Sequence, residues 1–483
     1  MEPIHFQDEF GVLFEDDGTS VTLLAASNKN ICEYVIPDCV TVINSYAFRE
    51  CKKLTSVTIP DSVTEIGECA FEYCESLTQI AIPSSATIIR PYVFAYCENL
   101  TEVSIPDSVT KIGKSAFRGC KKLTSVTIPD SVTEIGEDAF EYCESLTQIA
   151  IPSSATIIRP YVFAYCENLT EVSIPDSVTK IGKSAFRDCK KLTSVTIPDS
   201  VTEIGEDAFE YCESLRQITI PSSATIIRPS VFAYCKNLTE VSIPDSVTKL
   251  WQWAFAHCES LTHVTIPNSM KVIGLGAFED CKKLTTVCIS DSVVEMEIEE
   301  DAFKDCEELT NISLPNSIKK IGVGAFNNCK KLTRVVIPNS MTRIEDSSFV
   351  NCTGLTEVSI PDSITEIGIN AFGGCKKLTH VVIPNSITKI EDISFANCTG
   401  LTEISILDSV TEIGNWAFKW CESLTHITIP NSVKKIGYSA FAECKNLTTI
   451  SIPDSVTEID ERAFEGCEKL DLPDWVKKLC KNK

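Results

Sequence analysis

The sequence has no long apolar run and no excess of positive charge. None of its 483 residues lies in a stretch approaching the roughly 18 to 20 apolar residues that cross a bilayer. The start, Met1 to Glu9, lacks the basic and apolar regions of a secretory signal, so the sequence predicts a cytoplasmic protein without membrane insertion. Lys and Arg number 43 against 67 Asp and Glu, a net charge of -24. That acidic balance argues against nucleic acid as a partner, because phosphate binding needs a basic stripe.

Patterns that carry chemistry are also missing. The sequence contains no Ser-His-Asp set, no P-loop and no Gly-x-Gly-x-x-Gly motif. Zinc would need paired Cys-x-x-Cys ligands in a fourfold cluster, and the cysteines do not have that spacing. We therefore predict no catalytic residue, no cofactor and no metal, and a protein that is not an enzyme.

What the sequence does contain is a 23-residue repeat. With 43% hydrophobic and 23% charged residues, the chain can bury a core. Nineteen of the 22 Phe residues recur at this period from Phe48 to Phe464, with one two-residue insertion between Phe278 and Phe303. There is also a period of 69, since residues 52–120 and 121–189 differ at only two positions. Residues 190–258 are a third, slightly diverged copy, and such triplicated sequence offers few unique residues for a catalytic site.

The unit 123–145 divides into segments by its own periodicity. Leu123, Val126 and Ile128 have the spacing of a strand with inward apolar side chains, while Ser125 and Thr127 alternate outward. Stacking such units predicts a parallel sheet.

The rest of the unit predicts a turn, a second strand and a helical turn. Pro129 has no N–H for a ladder and ends the strand, and residues 132–135 form a second extended piece that runs to Gly136. The next apolar residues, at i, i+1, i+4 and i+7, predict one face of a short helical turn: Ala139, Phe140, Cys143 and Leu146. Asp138, or Ser115 in the neighbouring unit, is placed to cap it.

This pattern predicts an α/β repeat solenoid of about nineteen stacked units. One unit cannot bury its apolar face alone, so neighbouring units close a shared core. We predict an N-terminal hairpin cap over residues 1–30, the solenoid over 31–469, and a C-terminal cap and tail over 470–483.

The combination Leu-x-x-Val-x-Ile-Pro, Val-x-x-Ile-Gly and Ala-Phe-x-x-Cys resembles the BspA-like (treponeme-type) leucine-rich repeat. The resemblance runs from residue 31 to about 469, and the departures are Ser290 and Leu407 for Pro, Trp251 for Gly, and Val93 and Ser348 for Ala. It implies a right-handed curved solenoid in proteins that are often surface-exposed and proposed as adhesins, and it implies a cell-surface or secreted location and no enzyme activity. Fold-level analogy names no ligand.

The 24 cysteines fall mainly on one ladder. Nineteen follow each repeated Phe by three residues, from Cys51 to Cys467, which places them on the inward face as small hydrophobes. Neighbouring rungs about 4.8 Å apart would permit bridges, although we favour reduced core thiols. Five cysteines lie off the ladder: Cys32, Cys39, Cys69, Cys288 and Cys480. Cys69 and Cys288 fall where other units carry exposed polar residues and are expected to be exposed.

The outward strand positions form two rows. The first row runs Ser56, Gln79, Glu102, Ser125, Gln148, Glu171, Ser194, Gln217, Glu240, His263, Thr286, Asn311, Arg334, Glu357, His380, Glu403, His426, Thr449. The second is nearly all Ser, Thr and Ala, which is flat and open enough for another protein to dock, or simply follows strand propensity. His380 and His426 lie two rungs apart, about 10 Å, too far to share a zinc ion. We predict that His263, Arg334, His380 and His426 contribute to partner binding, with plain solvent exposure as the simpler interpretation of the histidines.

Aromatic residues form pairs four apart on the predicted helical turn. The pairs are Tyr92 with Tyr96, Tyr161 with Tyr165, Trp253 with His257, and Trp416 with Trp420. Exposed Tyr and Trp are common interface anchors, although packing over a neighbouring turn is the commoner explanation. The aromatic members are candidate partner-binding residues.

These observations lead to a hypothesis of a non-catalytic interaction or adhesion protein. It would bind a protein or another extended macromolecule along its sheet face or aromatic edge, with a monomer favoured. The alternative is a structural scaffold or spacer whose repeats supply length.

Overall fold

The structure, a computed structural model, describes residues 2–481 and the side chains of residues 2–480. The chain is a β-solenoid of about nineteen turns, each of about 23 residues, with parallel stacked strands and minimal helix. Each turn, or rung, holds a first short strand, a second short strand and a turn segment. We call the stacked first strands the first ribbon and the stacked second strands the second ribbon. The chain divides into unit 1, Met1–Leu238, and unit 2, Thr239–Lys483.

Unit 1 begins with three longer strands and continues with the two ribbons. The first three strands are β1 (Ile4–Gln7), β2 (Val12–Asp16) and β3 (Val21–Ala26). Its first ribbon comprises β4 (Glu33–Val35), β6 (Ser56–Thr58), β8 (Gln79–Ala81), β10 (Glu102–Ser104), β12 (Ser125–Thr127), β14 (Gln148–Ala150), β16 (Glu171–Ser173), β18 (Ser194–Thr196) and β20 (Gln217–Thr219). Its second ribbon comprises β5 (Val40–Ile43), β7 (Glu65–Ile66), β9 (Ile88–Ile89), β11 (Lys111–Ile112), β13 (Glu134–Ile135), β15 (Ile157–Ile158), β17 (Lys180–Ile181), β19 (Glu203–Ile204) and β21 (Ile226–Ile227).

Unit 2 has a first and a second ribbon of its own and ends in a helix. Its first ribbon comprises β22 (Glu240–Ser242), β24 (His263–Ile266), β26 (Thr286–Ile289), β28 (Asn311–Ile312), β30 (Arg334–Val336), β32 (Glu357–Ser359), β34 (His380–Val382), β36 (Glu403–Ser405), β38 (His426–Thr428) and β40 (Thr449–Ser451). Its second ribbon comprises β23 (Lys249–Leu250), β25 (Val272–Ile273), β27 (Met296–Ile298), β29 (Ile318–Ile321), β31 (Arg343–Ile344), β33 (Glu366–Ile367), β35 (Lys389–Ile390), β37 (Glu412–Ile413), β39 (Lys435–Ile436) and β41 (Glu458–Ile459). The helix is α1 (Asp474–Lys481).

Exposed and buried side chains alternate along each first-ribbon strand, and this alternation determines which side chains face the core. In β12, Ser125 and Thr127 are exposed and Val126 is 7% exposed, as the sequence predicts. Strands pair in parallel so that each residue lies opposite its equivalent in the next rung, as in Glu102 opposite Ser125. The two-residue insertion lies inside one rung, so Thr286 still pairs with its equivalent, Asn311.

The turn segment differs from the predicted helical turn. Asp138 and Tyr142 have φ of 56° and 60°, in the left-handed region that a right-handed helix does not visit. The N–H groups of Ala139, Glu141 and Cys143 each donate to the carbonyl three residues earlier, at 3.3, 3.1 and 3.2 Å, which closes three overlapping β-turns. Alternate N–H groups bond the next rung instead: Asp138 to Pro160 O (3.1 Å), Phe140 to Val162 O (2.9 Å) and Tyr142 to Ala164 O (2.9 Å). The prediction that Asp138 and Ser115 cap a helix is therefore wrong: both have positive φ (56° and 52°) within the β-turns.

The predicted inward side chains of the turn segment do form the core. In unit 1 the rings from Phe48 to Phe232 stack with centroids 5.2 to 5.8 Å apart and planes within 18°. In unit 2 the rings from Phe255 to Phe464 stack at 5.3 to 5.7 Å within 14°. One apolar layer of aromatic rings thus runs through each unit.

The cysteine ladder lies beside this layer, and its thiols are free. Ladder thiols of interior rungs donate to the Phe carbonyl of the rung before, as Cys143 Sγ does to Phe117 O at 3.3 Å. Cys288 is exposed, as predicted, but the prediction for Cys69 is wrong: it is 8% exposed because it occupies a positive-φ position packed beside Glu72. Burial raises the pKa of Cys69 to about 11.

The two ends of the described chain depart from the repeat. The strands β1, β2 and β3 form an antiparallel meander, and β3 then pairs in parallel with β5. At the other end α1 packs against β41 and buries Val476 completely. Within residues 2–481 no helix has the length and apolar character needed to span a bilayer.

Candidate partner-binding surfaces

The first-ribbon face of unit 2 brings three of the predicted residues into one row. Arg334, His380 and His426 begin β30, β34 and β38, and Glu357 and Glu403 begin the strands between them. Arg334 Nη2 lies 3.5 Å from Glu357 Oε1, and His380 Nδ1 lies 3.7 Å from Glu403 Oε2. All four of these side chains are about half exposed or more. The row therefore alternates basic or imidazole groups with carboxylates.

Two exposed valines lie beside this row. Val336 and Val382 occupy the third positions of β30 and β34 and are 51% and 47% exposed. Ser359, between them on β32, helps to line a shallow depression together with Glu357 and His380. Large apolar side chains at this exposure, next to small residues, make an open apolar strip along a charged row.

His263 lies on the same ribbon, three strands before Arg334. It is exposed at the start of β24, and its Nδ1 is 3.4 Å from Thr262 Oγ1. His426 has the same local contact, with Thr425 Oγ1 3.2 Å from its Nδ1. The structure thus places all four predicted ribbon residues on the exposed face, and His263 apart from the other three.

The first-ribbon face of unit 1 is more uniform. Shallow depressions repeat along it at the longer period of the sequence, one around Ser56, Gln79 and Ala81 and the next around Gln148 and Ala150. Each depression forms at an alanine, because alanine is smaller than the Ser or Thr at the equivalent position of the adjacent strands. This face has no exposed apolar side chain comparable to Val336 among the strands that line these depressions.

The predicted tyrosine pairs of unit 1 occupy the two positive-φ positions of their rungs. Tyr92 and Tyr96 have φ of 58° and 60°, and Tyr161 and Tyr165 have 57° and 61°. The second tyrosine of each pair stacks on a tyrosine of the preceding rung: Tyr73 with Tyr96 at 4.7 Å and Tyr142 with Tyr165 at 4.4 Å. One ring face of Tyr96 and of Tyr165 is therefore occupied by a neighbouring ring.

The predicted tryptophans of unit 2 are partly covered as well. Trp253 is 40% exposed and its ring lies over Gly276, where a Cβ would come within 2.7 Å of it. Trp416 meets Tyr438 edge-on at 5.3 Å, and Trp420, 43% exposed, has the Lys419 ammonium 4.2 Å from its ring centroid. The sequence did not predict that Trp253 and Trp416 are partly covered, because the groups that contact them come from adjacent rungs.

Comparison with protein families decides what kind of repeat this is. The family model described as "BspA type Leucine rich repeat region (6 copies)" matches seven overlapping segments: 24–147, 87–216, 133–261, 202–297, 225–356, 278–402 and 342–471. The chain belongs to the BspA-type leucine-rich repeat family. Leucine-rich repeat proteins typically mediate protein interaction or adhesion and are generally not catalysts.

Solved structures of other leucine-rich repeat proteins are similar to this BspA-type chain. A leucine-rich repeat protein from Bacteroides ovatus is 26% identical, over 89% of this chain and 94% of its own, with a TM-score of 0.43. A leucine-rich cell surface protein from Faecalibacterium prausnitzii is 28% identical, over 95% and 99%, with a TM-score of 0.29. The leucine-rich repeat protein of T. pallidum is 26% identical, over 44% and 87%, with a TM-score of 0.35. No curated protein matches the chain.

Unit 1 of this BspA-type protein also holds a charged cluster that the sequence analysis missed. Arg118 Nη2 lies 3.0 Å from Glu141 Oε2, and the guanidinium is 5.7 Å from the Tyr142 ring centroid. Burial raises the pKa of Glu141 to about 7, although Arg118 acts in the opposite direction. Arg187 and Glu210 repeat the arrangement in the next block of the longer period, and burial likewise raises the pKa of Glu210 to about 7. The sequence pattern that could have predicted this cluster is an Arg followed 23 residues later by a Glu that comes directly after the repeated Phe.

No group of three or more His, Cys, Asp or Glu side chains in the described part of this leucine-rich repeat is arranged to hold a metal ion. The depressions on the first ribbon are shallow and lined by the side chains of neighbouring strands. What the surfaces offer is therefore contact area rather than an enclosed site.

Proposed function

We propose that this chain is a non-catalytic interaction or adhesion protein that binds a protein or another extended macromolecule on the first-ribbon face of unit 2. The observation that carries the proposal is the strip formed by Val336 and Val382 beside Arg334 and His380. Apolar side chains and arginine are typical of interface centres, whereas the first-ribbon strands β6 to β20 of unit 1 carry only small or polar residues at their exposed positions.

The ion pairs on this face are weak enough for a binding partner to replace them with its own charged groups. The Arg334–Glu357 contact is 3.5 Å long with both side chains 61% exposed, so it contributes only about 0 to 1 kcal/mol to stability. A partner that supplies its own carboxylate to Arg334 would lose little in breaking it. Ser359, between the two valines, leaves room for the approach.

The aromatic edge supports the proposal less strongly. Stacking occupies a ring face of Tyr96 and Tyr165, which favours packing as their main role. Trp253 and Trp420 keep 40% and 43% exposure and remain predicted contacts. We therefore propose that the partner binds mainly to the first-ribbon face of unit 2.

The test compares two double variants of the full chain. Val336→Glu with Val382→Glu introduces charge on the proposed face, and Val323→Glu with Ile369→Glu does so on the turn segments of the same unit, where exposure is a similar 40% and 45%. A photo-crosslinker at position 359 identifies partners, and titration then measures Kd for each. We expect the ribbon-face variant to weaken binding at least about tenfold, which is about 1.4 kcal/mol, and the control to leave it unchanged. Equal Kd values for the wild type and the ribbon-face variant would contradict the proposal.

We also propose that residues 1–30 and 470–483 cap the solenoid over 31–469. Support comes from the β1–β3 meander, which pairs with β5, and from α1, which buries Val476 against the last rung. Removing residues 470–483 should expose that rung and lower the thermal unfolding midpoint. An unchanged midpoint, with no aggregation on heating, would argue against a cap there.

A further inference from the structure

The cysteine ladder ends at a thiol that solvent can reach. Of its nineteen cysteines, eighteen are buried, whereas Cys467 is partly exposed. Phe464, the last ring of the stack, is 9% exposed, although an interior ring such as Phe418 is 0% exposed. After Lys469 the repeat gives way to α1, so no further rung covers this end of the layer within the described residues.

A second thiol lies directly beneath Cys467. Cys467 Sγ donates to Phe441 O at 3.1 Å, and Phe441 belongs to the same turn segment as Cys444. The sulfur of Cys467 therefore points toward the rung of Cys444, whose own thiol donates to Phe418 O at 3.3 Å. Stacked rungs are about 4.8 Å apart, inside the range of about 4.4 to 6.8 Å that disulfide Cα atoms need.

The end thiol also differs in acidity from the interior ones. The neighbouring Cys444 thiol lowers the pKa of Cys467, while burial acts in the opposite direction. Burial raises the pKa of Cys421, two rungs inward, far above its ordinary value. Thiolate is the reactive form, so this difference favours reaction at the end of the ladder.

We propose that Cys467 is an oxidation-sensitive modification site, with Cys444 as its resolving thiol and hydrogen peroxide as the oxidant. The Cys467 thiolate attacks one peroxide oxygen, an S–O bond forms, the O–O bond breaks and hydroxide leaves. The Cys444 sulfur then attacks the sulfenic sulfur, an S–S bond forms, the S–O bond breaks and the hydroxyl leaves with the Cys444 proton as water. Two thiols are oxidised to one disulfide, and one peroxide is reduced to two waters.

Other cysteines supply internal controls. Cys288 is exposed on β26, opposite Thr265 of the neighbouring strand, so it is open to the oxidant without a thiol partner there. Cys421 is a buried ladder thiol with Cys444 on the following rung. A reagent that reaches Cys288 and spares Cys421 separates exposure from ladder position.

The test treats the reduced, folded full chain with a small excess of hydrogen peroxide, blocks remaining thiols and maps tryptic peptides without reduction. The proposed bond joins peptides 436–445 and 463–469. Cys444→Ser should abolish this product and leave a sulfenic acid at Cys467 that dimedone traps. In the untreated wild type we expect iodoacetamide to alkylate Cys467 at least about tenfold faster than Cys421. Circular dichroism of each variant verifies that it is folded.

Two results would overturn the proposal. One is alkylation of Cys467 as slow as that of Cys421, which would show that the end thiol is as protected as the interior ladder. The other is a bond from Cys467 to Cys480 of α1 in place of Cys444, which would assign the wrong resolving thiol.

Discussion

Replacing Gly136 by alanine should disrupt the contact between two adjacent rungs. A Cβ at this position would lie 2.5 Å from the carbonyl carbon of Gly113 and 2.5 Å from the amide nitrogen of Lys114. Carbon contacts are favourable at about 3.5 to 4.0 Å, so the backbones of the two rungs must move apart by about 1 Å. Those atoms are backbone and have no rotamer to change, so the strain cannot be relieved locally.

The magnitude follows from the hydrogen bonds that such a movement breaks. The Gly136 N–H donates to Ile112 O at 2.8 Å, and the Thr133 N–H donates to Thr110 O at 2.9 Å. Lengthening both by about 1 Å removes them. Gly136 is buried, so its unsatisfied N–H costs about 1 to 3 kcal/mol, whereas Thr133 is exposed and the loss of its bond costs about 0.5 to 1.5 kcal/mol. We expect the free energy of unfolding of Gly136→Ala to fall by about 1.5 to 4.5 kcal/mol.

The chain supplies both a replicate and a control for this measurement. Gly205 has the same surroundings in the next block of the longer period, with contacts of 2.5 Å to Gly182 and Lys183, so Gly205→Ala should cost the same. Arg159 occupies the equivalent position in a rung that accepts a side chain. Arg159→Ala loses an exposed ion pair with Glu134 and should cost at most about 1 kcal/mol.

Urea unfolding followed by circular dichroism measures the total effect. Hydrogen exchange by mass spectrometry locates it, because loss of protection should concentrate between residues 110 and 140 if coupling is between nearest neighbours. A midpoint for Gly136→Ala equal to that of Arg159→Ala would refute the steric argument.

Two further predictions concern the core and the charged clusters. Phe140→Ala should lower the free energy of unfolding by about 3 to 5 kcal/mol, and Phe464→Ala by less, because Phe464 is already 9% exposed; equal thermal shifts would contradict this. The pKa values of Glu141 and Glu210, about 7 against an ordinary 4.5, mean that the folded state binds more protons than the unfolded state in that window. The free energy of unfolding should therefore fall as pH rises from about 4.5 to 7, by up to about 3 kcal/mol per residue. Glu141→Gln with Glu210→Gln should flatten this dependence in unfolding measured at pH 5 and 8, whereas the exposed control Glu137→Gln should not; parallel curves for wild type and double variant would count against it.

The sequence was enough to predict the repeat unit, the parallel strands and the inward residues. A strand such as β12 alternates in sequence as it does in space, so Val126 inside and Ser125 outside followed directly. The predicted helical turn was wrong because the spacing of Ala139, Phe140 and Cys143 suits a helix and a run of overlapping β-turns equally. Only the backbone shows that Asp138 and Tyr142 are left-handed and that their N–H groups bond the next rung.

Residues that depend on contacts between rungs were harder to predict. Val336 and Val382 appear in the sequence as ordinary strand residues, and their exposure follows only from which face of β30 and β34 they occupy. Glu141 appears as a polar residue beside Phe140, yet the Arg118 side chain from the rung before helps to bury it. The stacking of Tyr96 on Tyr73 arises in the same way, from a neighbour one repeat earlier in the sequence.

The backbone bonds of the turn segment join each rung to the next through peptide groups, whatever side chains are present. Blocks 52–120 and 121–189 differ at only two residues, Cys69 against Asp138 and Gly119 against Asp188. An unequal recombination between their coding sequences would delete or add one whole block, and every strand at the new junction would still meet a partner in register. Alleles that differ by one block should therefore encode chains that fold. The number of repeats can thus change in evolution without any change in the contacts between neighbouring rungs.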